Sequence, residues 1–250
     1  MKKTYKRILS ALGIFILILV FLFIGYFLKA RSVMKGMTAV QTGEITRNVF
    51  SVKDAFVNLY LVKNGEHYIA LDAGNDIKDI QREMIRLSIE PGKIDAILLT
   101  HTDGDHVAGI GLYKNADIYI SKQEEQLLNG KKSRFLVFGN KIDSEKYKLI
   151  EDQQVMDING IKIQGFLTPG HTPGSMCYLV NDSLLFTGDA LRLNNGKIEP
   201  FYTFFNMDTE TATQSIVKIV RIPGVKSIFT AHNGYTNDFQ YASRDWTLAH

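Results

Sequence analysis

A long run of apolar positions dominates the first thirty residues of the chain. From Ile8 to Leu28 no residue carries a charge. As a helix rising about 1.5 Å per residue, this run would span roughly 31 Å, about the hydrocarbon thickness of a bilayer. Basic residues flank the run on both sides, and no small-x-small cleavage site follows it. The pattern predicts an uncleaved single-pass transmembrane helix, with a buried core helix as the alternative.

This helix divides the chain into four parts. We predict a basic N-terminal tail over residues 1–7, a transmembrane anchor over residues 8–28, a polar connector over residues 29–46 and the main domain over residues 47–250. Four basic residues precede the anchor and three follow it. Together with the terminal amine, this balance favours a cell-membrane protein whose main domain is extracytoplasmic.

Three β-hairpins are predicted in the main domain. Asn64-Gly65 lies between two apolar runs, which is typical of a hairpin with a type I′ turn. Asn159-Gly160 and Asn181-Asp182 separate apolar runs in the same way.

Helices and buried strands alternate with these hairpins. Residues 76–88 and a segment opening at Asp208 have apolar positions at the spacing of an amphipathic helix. Ser121 is predicted to cap a further helix, with Glu124 as its capping-box partner. Residues 94–100 are an apolar run typical of a strand buried on both faces. This order of elements favours an α/β sandwich with mixed sheets over a doubly wound parallel sheet.

Charge and cysteine content exclude several classes of function. The net charge is +3, but seven bases and one acid lie before residue 47, whereas 22 bases and 25 acids lie after it. The main domain is therefore mildly acidic, which does not favour a nucleic-acid surface. The single cysteine, Cys177, excludes an intramolecular disulfide and any metal site built from several cysteines.

Four of the six histidines lie in short polar segments that follow or separate predicted strands. These segments are residues 101–106, residues 170–175 and residues 231–234, and Gly188-Asp189 follows another strand. Neutral imidazole and carboxylate are the ligands that a divalent transition metal takes from a protein without usable thiols. A single such histidine is more often solvated, but the segments together predict a metal site.

The first of these segments has a spacing that suits metal binding. Residues two apart in an extended chain project to the same side, so His101, Asp103 and Asp105 are expected on one face. His106 is expected to diverge where a helix begins at Val107. Two metal ions about 3.5–4 Å apart need ligands divided in this way.

In these motifs the sequence resembles the metallo-β-lactamase-fold hydrolases, and more narrowly their glyoxalase II-like branch. The resemblance runs from about Asn58 to about Thr236. The motifs that carry it are Leu71-Asp72-Ala73-Gly74, residues 100–106, residues 168–175, Phe186-Thr187-Gly188-Asp189 and Ala231-His232. The resemblance implies an αββα sandwich with two divalent metal ions, zinc in most members, in the cleft between the sheets.

The resemblance also implies a ligand set for each ion. By position, the implied ligands are His101, Asp103 and His171 for one ion, and Asp105, His106 and His232 for the other, with Asp189 bridging both. Asp105 and Asp189 would be the catalytic residues, Asp105 as a proton shuttle and Asp189 by holding the ions at their working separation. Asp72 is implied as a hydrogen-bond partner of a ligand, or alternatively as a turn residue that supports the chain at Gly74.

Asp103 is a departure from the family pattern, which has histidine at this position. A carboxylate can bind a metal ion, but it makes the site harder and more anionic. The change could move the preference towards Mn²⁺ or Fe²⁺, or weaken occupancy of the first position. Nuclease-like members of the superfamily resemble this variant, which keeps phosphodiester cleavage as an alternative.

The function implied is metal-dependent hydrolysis of a small ester, thioester, lactone or β-lactam. A bound zinc ion lowers the pKa of its water to about 7, which supplies a nucleophile at neutral pH. The 18 residues after His232 are too few for the helical domain that binds glutathione in classical glyoxalase II. The alternatives are a phosphodiesterase or nuclease on the same scaffold, and a non-catalytic membrane-tethered binding domain. The sequence leaves the physiological substrate and the oligomeric state open.

Two further segments have more than one interpretation. An aromatic stretch within residues 194–206 could line a pocket for an apolar acyl chain or pack into the core. A basic stretch within residues 131–148 could meet a phosphate or form a solvated loop. The residues concerned are Phe201, Tyr202, Phe204 and Phe205 in the first, and Lys131, Lys132, Arg134, Lys141, Lys146 and Lys148 in the second.

Overall fold

The computed structural model describes residues 2–135 and 137–249, so Met1 and His250, the outer ends of the predicted domain ranges, lie outside the described residues. The chain forms two compact units, Met1–Met37 and Thr38–His250. The first unit contains helix α1, Lys2–Met34. Among the described residues, this helix alone is long and apolar enough to cross a membrane. Its apolar side chains are exposed, as in Phe21 and Phe23, which favours the membrane interpretation over a buried core helix.

The segment predicted as a connector, residues 29–46, has structure at both of its ends. Helix α1 continues through its first residues to Met34. Its last residues, Gly43–Thr46, form strand β1, which pairs with the following strand. The sequence missed this strand because four residues, only partly buried, show no clear alternation of apolar and polar positions.

The first sheet of the second unit has seven strands in chain order. They are β1, β2 (Val49–Asp54), β3 (Val57–Asn64), β4 (His67–Leu71), β5 (Ile94–Leu98), β6 (Asp117–Ser121) and β7 (Lys148–Ile150). Strands β1 to β4 pair antiparallel, whereas β4 to β7 pair parallel. The sheet is therefore mixed, as predicted.

The second sheet has six strands in the order β15-β14-β11-β10-β9-β8, and a small hairpin lies outside it. The strands are β8 (Val155–Ile158), β9 (Ile161–Leu167), β10 (Met176–Val180), β11 (Leu184–Phe186), β14 (Ser227–Phe229) and β15 (Tyr235–Thr236), and the hairpin is β12 (Leu191–Asn194) with β13 (Lys197–Pro200). Only the β11–β14 pair is parallel. The parallel pair brings the carboxyl ends of β11 and β14 to one edge, which matters for the site below.

Within the described residues, five α-helices accompany the sheets, together with three short 3-10 helices, Pro91–Lys93, Ile110–Leu112 and Thr203–Phe205. The α-helices are α2 (Ile77–Arg86), α3 (Gly104–Val107), α4 (Glu125–Leu128), α5 (Thr209–Ile219) and α6 (Phe239–Ala249). Asp76 caps α2 by accepting from the backbone N–H groups of its first turn, and Asp208 caps α5 in the same way. Both helices begin where the sequence predicted. Helix α3 begins earlier than predicted, at Gly104 instead of Val107.

Three apolar layers hold these elements together. The central layer lies between the two sheets and contains Ile69, Leu98, Ile163 and Tyr178. A second layer packs α2 on the outer face of the first sheet, and a third packs α5 and α6 on the outer face of the second sheet. Each fully buried aliphatic side chain contributes about 1.5–3 kcal/mol to this packing. The architecture is the αββα sandwich that the resemblance implied.

Two predicted local features differ in detail. Asn64 pairs with His67 as the last residue of its strand, so the two residues of the first hairpin turn are Gly65 and Glu66. Of these two, only Gly65 has a positive φ, of 60°. One positive φ at the first turn position is typical of a type II′ turn, so the type I′ assignment is wrong. At the predicted capping box, Ser121 Oγ accepts from the Glu124 N–H at 3.0 Å, but the Glu124 carboxylate bonds to Thr102 and Thr172. Helix α4 begins only at Glu125, so the prediction that Ser121 caps it is wrong.

Candidate metal centre

The predicted ligands lie together at one edge of the sandwich. The loop after β5 carries His101, the loop between β9 and β10 carries His171, and the loops after β11 and β14 carry Asp189 and His232. The four histidines at the site and Asp189 are all buried. The Nε2 atom of His101 lies 4.0 Å from Asp189 Oδ2, so residues distant in sequence do form one cluster.

One part of the cluster, here called the His106–His232 group, consists of Asp105, His106 and His232. His232 Nε2 lies 3.5 Å from Asp105 Oδ2, and His106 Nε2 lies 3.9 Å from the same oxygen. Their ligand atoms lie close enough together to share one metal ion. Because α3 begins at Gly104, Asp105 turns towards this group instead of sharing a face with His101 and Asp103, as the extended-chain argument had expected.

The other part, here called the His101–His171 group, consists of His101, Asp103 and His171. His171 Nε2 lies 3.1 Å from His101 Nε2 and 3.1 Å from Asp103 Oδ2. The ligand atoms of this group also lie close enough to share an ion.

Asp189 lies between the two groups. Its Oδ1 atom is 3.2 Å from His232 Nε2 and 3.7 Å from His106 Nε2. Its Oδ2 atom is 3.5 Å from His171 Nε2. One oxygen faces each group, which is the position of a bridging carboxylate.

The buried atoms around Asp189 are incompletely bonded. His106 Nε2, His232 Nε2 and Asp189 Oδ1 are buried and have no hydrogen-bond partner. An unsatisfied buried polar group costs about 1–3 kcal/mol, so several in one place call for an explanation. A divalent cation would satisfy all of them at once, and the residues of the His106–His232 group therefore fit a metal ion.

Asp72 orients a histidine in each group. It accepts from His106 Nδ1 at 2.8 Å, which turns His106 Nε2 towards Asp105 and Asp189. Its carboxylate also accepts from the Thr100 hydroxyl at 2.8 Å. Since that hydroxyl has given its only proton to Asp72, it accepts from His101 Nδ1 at 3.0 Å. Asp72 thus fixes the tautomers of His106 and His101, as partners of metal-bound histidines commonly do.

His232 is oriented by a backbone carbonyl. Its Nδ1 atom lies 2.9 Å from the Phe56 carbonyl oxygen, which can only accept. The Phe56 ring also stacks on the imidazole, with centroids 5.6 Å apart and planes inclined by 13°. The Nε2 atom of His232 therefore faces Asp105 and Asp189.

Arg134 binds the side chain of Asp103. Its Nε atom donates to Asp103 Oδ1 at 2.8 Å and its Nη2 atom donates to Asp103 Oδ2 at 2.6 Å. The arginine side chain is only 18% exposed. Arg134 is therefore neither a phosphate contact nor part of a solvated loop, the two interpretations that the sequence offered. No local signal distinguishes it from the lysines around it.

Charge and burial oppose each other throughout the site. Burial lowers the pKa of His106, but the carboxylates of Asp72, Asp105 and Asp189 outweigh it and raise the pKa to about 10. Burial raises the pKa of Asp189, but the neighbouring His232 and His106 lower it below its usual range. Clusters of perturbed groups of this kind are typical of functional sites.

His101 differs from His106 in the direction of its pKa shift. Burial, reinforced by the nearby His106 and His171, lowers the pKa of His101. Burial also opposes ionisation of Asp103, but hydrogen bonds from His171 and Arg134 hold its pKa well below the usual value. Asp103 is therefore a carboxylate at neutral pH, and His101 is a neutral imidazole.

Glu124 joins the two loops that carry His101 and His171. Its buried carboxylate accepts from the Thr102 N–H at 2.8 Å and from the Thr172 hydroxyl at 2.6 Å. It also accepts from the Gly174 N–H at 3.1 Å. A Cβ at Gly174 would lie 2.0 Å from the Glu124 nitrogen, so only glycine permits this approach. Sequence analysis assigned Glu124 only a capping role and missed this link.

Phe201 is the member of the aromatic stretch that contacts the site. Its ring meets His171 edge-on, with centroids 5.2 Å apart, and lies 5.7 Å from the His232 ring. The Phe205 ring lies next to that of Phe201, with centroids 6.5 Å apart and planes inclined by 38°. Phe201 is buried, so this stretch combines core packing with an apolar wall beside the candidate ligands.

Comparison with known proteins agrees with this geometry. The family model of the metallo-beta-lactamase superfamily matches residues 52–232. A Methanocaldococcus jannaschii protein named "probable metallo-hydrolase" is 29% identical over 63% of this chain and 68% of its own length. A Bacillus velezensis protein named "probable polyketide biosynthesis zinc-dependent hydrolase" is 33% identical over 49% of this chain and 49% of its own length. The match therefore spans about half of the latter relative.

A solved structure shares the fold. It is a B3 metallo-beta-lactamase with an active-site glutamic acid, and it superposes with a TM-score of 0.65 at 19% identity over 86% of this chain and 92% of its own. The family match covers most of the second compact unit, including every candidate ligand. The chain belongs to the metallo-β-lactamase superfamily and is a metallo-hydrolase of that superfamily.

Proposed function

We propose that this metallo-hydrolase uses zinc to hydrolyse a small ester, thioester, lactone or β-lactam. The observation that carries the proposal is the set of three buried ligand atoms without partners, on His106, His232 and Asp189. With Asp105 they would hold one ion, and His101, Asp103 and His171 are the candidate ligands for a second. A bound zinc ion supplies a water of pKa about 7 and polarises a carbonyl oxygen.

The protein residues would act on the proton and on the orientation of the reacting groups. The Asp105 side chain is 24% exposed, more than any other candidate ligand, so it can exchange a proton with a leaving group. Asp189 keeps the ligands of the two groups at a fixed separation. Phe201 covers one side of the site and excludes water there, which strengthens the electrostatic interactions of the groups it covers.

An acyl substrate fits the surroundings better than a phosphodiester. The B. velezensis relative is named as a polyketide biosynthesis hydrolase, and the structural neighbour is a β-lactamase. The guanidinium closest to the candidate ligands, that of Arg134, is bound to Asp103 and is not directed to an outside phosphate. The aromatic wall formed by Phe201 and Phe205 suits an apolar acyl group.

We further propose that α1 anchors the protein in the cell membrane, with the hydrolase domain on the extracytoplasmic side. The anchor is supported by the length of α1 and by its exposed apolar side chains. The orientation is supported by the slight excess of basic residues before α1.

A substrate panel with added zinc or manganese tests the activity. The panel contains a nitrophenyl ester, a lactone, nitrocefin and bis-nitrophenyl phosphate, offered to the wild type and to His106→Ala. His67→Ala is the matched control, because His67 is exposed and bonds Asp95 outside the site. We expect metal-dependent turnover of an acyl substrate that His106→Ala abolishes and His67→Ala retains. Turnover of the phosphodiester alone, or acyl turnover unchanged in His106→Ala, would reject the proposal.

A further inference from the structure

The His101–His171 group contains a positive charge of its own. The Nη2 atom of Arg134 lies 2.6 Å from Asp103 Oδ2 and 3.4 Å from His171 Nε2. The guanidinium is therefore within contact distance of two of the three side chains that would bind the first metal ion.

The hydrogen bonds to Asp103 leave its oxygens little capacity for a metal ion. Oδ1 accepts from Arg134 Nε at 2.8 Å and from Asn140 Nδ2 at 2.9 Å. Oδ2 accepts from Arg134 Nη2 at 2.6 Å and lies 3.1 Å from His171 Nε2. Arg134 Nε also lies 3.0 Å from Oδ2. A carboxylate offers about four lone-pair sites, and these five contacts occupy them. A metal ion at Asp103 would have to displace at least one charge-assisted hydrogen bond.

Arg134 makes a further hydrogen bond outside Asp103. Its Nη2 atom, which donates to Asp103 Oδ2, also donates to the Phe205 carbonyl oxygen at 2.8 Å, so both protons of this nitrogen have an acceptor. Bidentate pairs between arginine and a carboxylate are among the stronger hydrogen-bonded contacts in proteins. An arginine does not lose its proton at any ordinary pH, so its positive charge is permanent and opposes a divalent cation at the same place.

The His106–His232 group is built in the opposite way. Its two imidazoles have Nδ1 occupied by Asp72 and by the Phe56 carbonyl. Both Nε2 atoms face the carboxylates of Asp105 and Asp189 at 3.2–3.9 Å and have no hydrogen-bond partner. The Asp189 oxygen that faces them, Oδ1, is without a hydrogen-bond partner as well. The ligand atoms of this group are therefore available to a metal ion.

We propose that Arg134 is the resident cation of the His101–His171 group and takes the place of a metal ion there. The chain then holds one metal ion tightly, at the His106–His232 group. This inference rests on the proposed function, because it concerns the metal content of the same site. It explains the aspartate at position 103: a carboxylate pairs with a guanidinium, whereas the histidine of the family pattern would not.

The test compares zinc stoichiometry between the wild type and Arg134→Gln, by equilibrium dialysis with elemental analysis. Arg82→Gln is the matched control, because Arg82 is an exposed arginine that pairs with Asp79 on α2. We expect one tightly bound zinc in the wild type and in Arg82→Gln, with a second zinc at least about tenfold weaker. In Arg134→Gln the second zinc should tighten by at least about tenfold, and adding His101→Ala should remove it again.

Two equally tight zinc ions in the wild type would overturn the inference, whether or not Arg134→Gln folds. The same stoichiometry and affinity in the wild type and in Arg134→Gln would also overturn it. The proposed function fails separately. One tightly bound zinc without hydrolysis of any acyl substrate would contradict the proposed function and support the inference. Two equally tight zinc ions with hydrolysis of an acyl substrate would support the proposed function and contradict the inference. A wild type that binds no zinc would contradict both.

Discussion

The two halves of the candidate metal centre contain similar residue types but differ in what those residues already bind. In the His106–His232 group the Nδ1 atoms of both histidines are held by hydrogen bonds, and their Nε2 atoms have no hydrogen-bond partner. In the His101–His171 group the carboxylate of Asp103 is paired with Arg134. Ligand type and spacing therefore predict where a metal ion can bind, whereas the partners of the ligands decide how readily it does.

The largest expected difference in zinc binding and turnover is between two single variants, each of which removes one histidine from one half. His106→Ala should lose the tightly bound zinc and reduce turnover by more than about 100-fold, because it removes a ligand of the metal ion. His101→Ala should keep one zinc, since its group does not supply the tight site. Elemental analysis measures the zinc content of the two variants, and an acyl substrate measures their turnover. Equal zinc loss in the two variants would remove the distinction between the halves.

Asp72→Ala should have the next largest effect and should weaken metal affinity in both halves of the site. Asp72 fixes Nδ1 of His106 directly and that of His101 through Thr100, so either imidazole can rotate or change tautomer without it. Loss of such a partner typically weakens metal affinity by about 10–100-fold. Competition with a chelating dye measures the affinity. Unchanged affinity would show that backbone packing alone orients His106.

Glu124→Gln should separate stability from metal affinity. The amide nitrogen of glutamine would face the N–H groups of Thr102 and Gly174, so at least one buried donor loses its acceptor. We expect the free energy of unfolding to fall by about 1–3 kcal/mol. Because Glu124 contacts the loops of the His101–His171 group, the tight zinc should bind as before. Urea unfolding and dye competition test the two effects, and a large loss of zinc affinity would contradict this assignment.

Phe56→Leu should have the smallest effect. The substitution keeps the backbone carbonyl that accepts from His232 and removes only the stacked ring. Aromatic pairs contribute about 0.5–1.5 kcal/mol beyond area burial, so zinc affinity should fall by about two- to tenfold. A fall as large as that of Asp72→Ala would mean that the ring, and not the carbonyl, holds the imidazole.

The fold and the position of the candidate ligands could be predicted because their signals are local. His101, Asp103 and His106 form a short motif after an apolar strand, and Asp189 and His232 each follow another. The start of α3 shows the limit of such arguments, since a helix that begins three residues earlier than predicted moves Asp105 to the other half of the site. The family pattern, not the alternation of an extended chain, was the better guide there.

Arg134 and Glu124 could not be assigned from the sequence because their roles depend on contacts formed only in the folded chain. Arg134 lies 31 positions from Asp103, and Glu124 lies 48 positions from Thr172. In sequence, one belongs to a run of basic residues and the other to a helix-start pattern. A solvated loop and a capping box were reasonable local interpretations, and long-range pairing overrode both.

Anomalous X-ray scattering at the zinc edge, from crystals grown with zinc, tests the central claim most directly. The account predicts that the strongest peak lies about 2.0–2.2 Å from His106 Nε2 and His232 Nε2, with Asp189 Oδ1 also in the coordination sphere. It predicts a weaker peak or none beside Asp103. A single peak among His101, Asp103 and His171, with none at His106, would contradict the account.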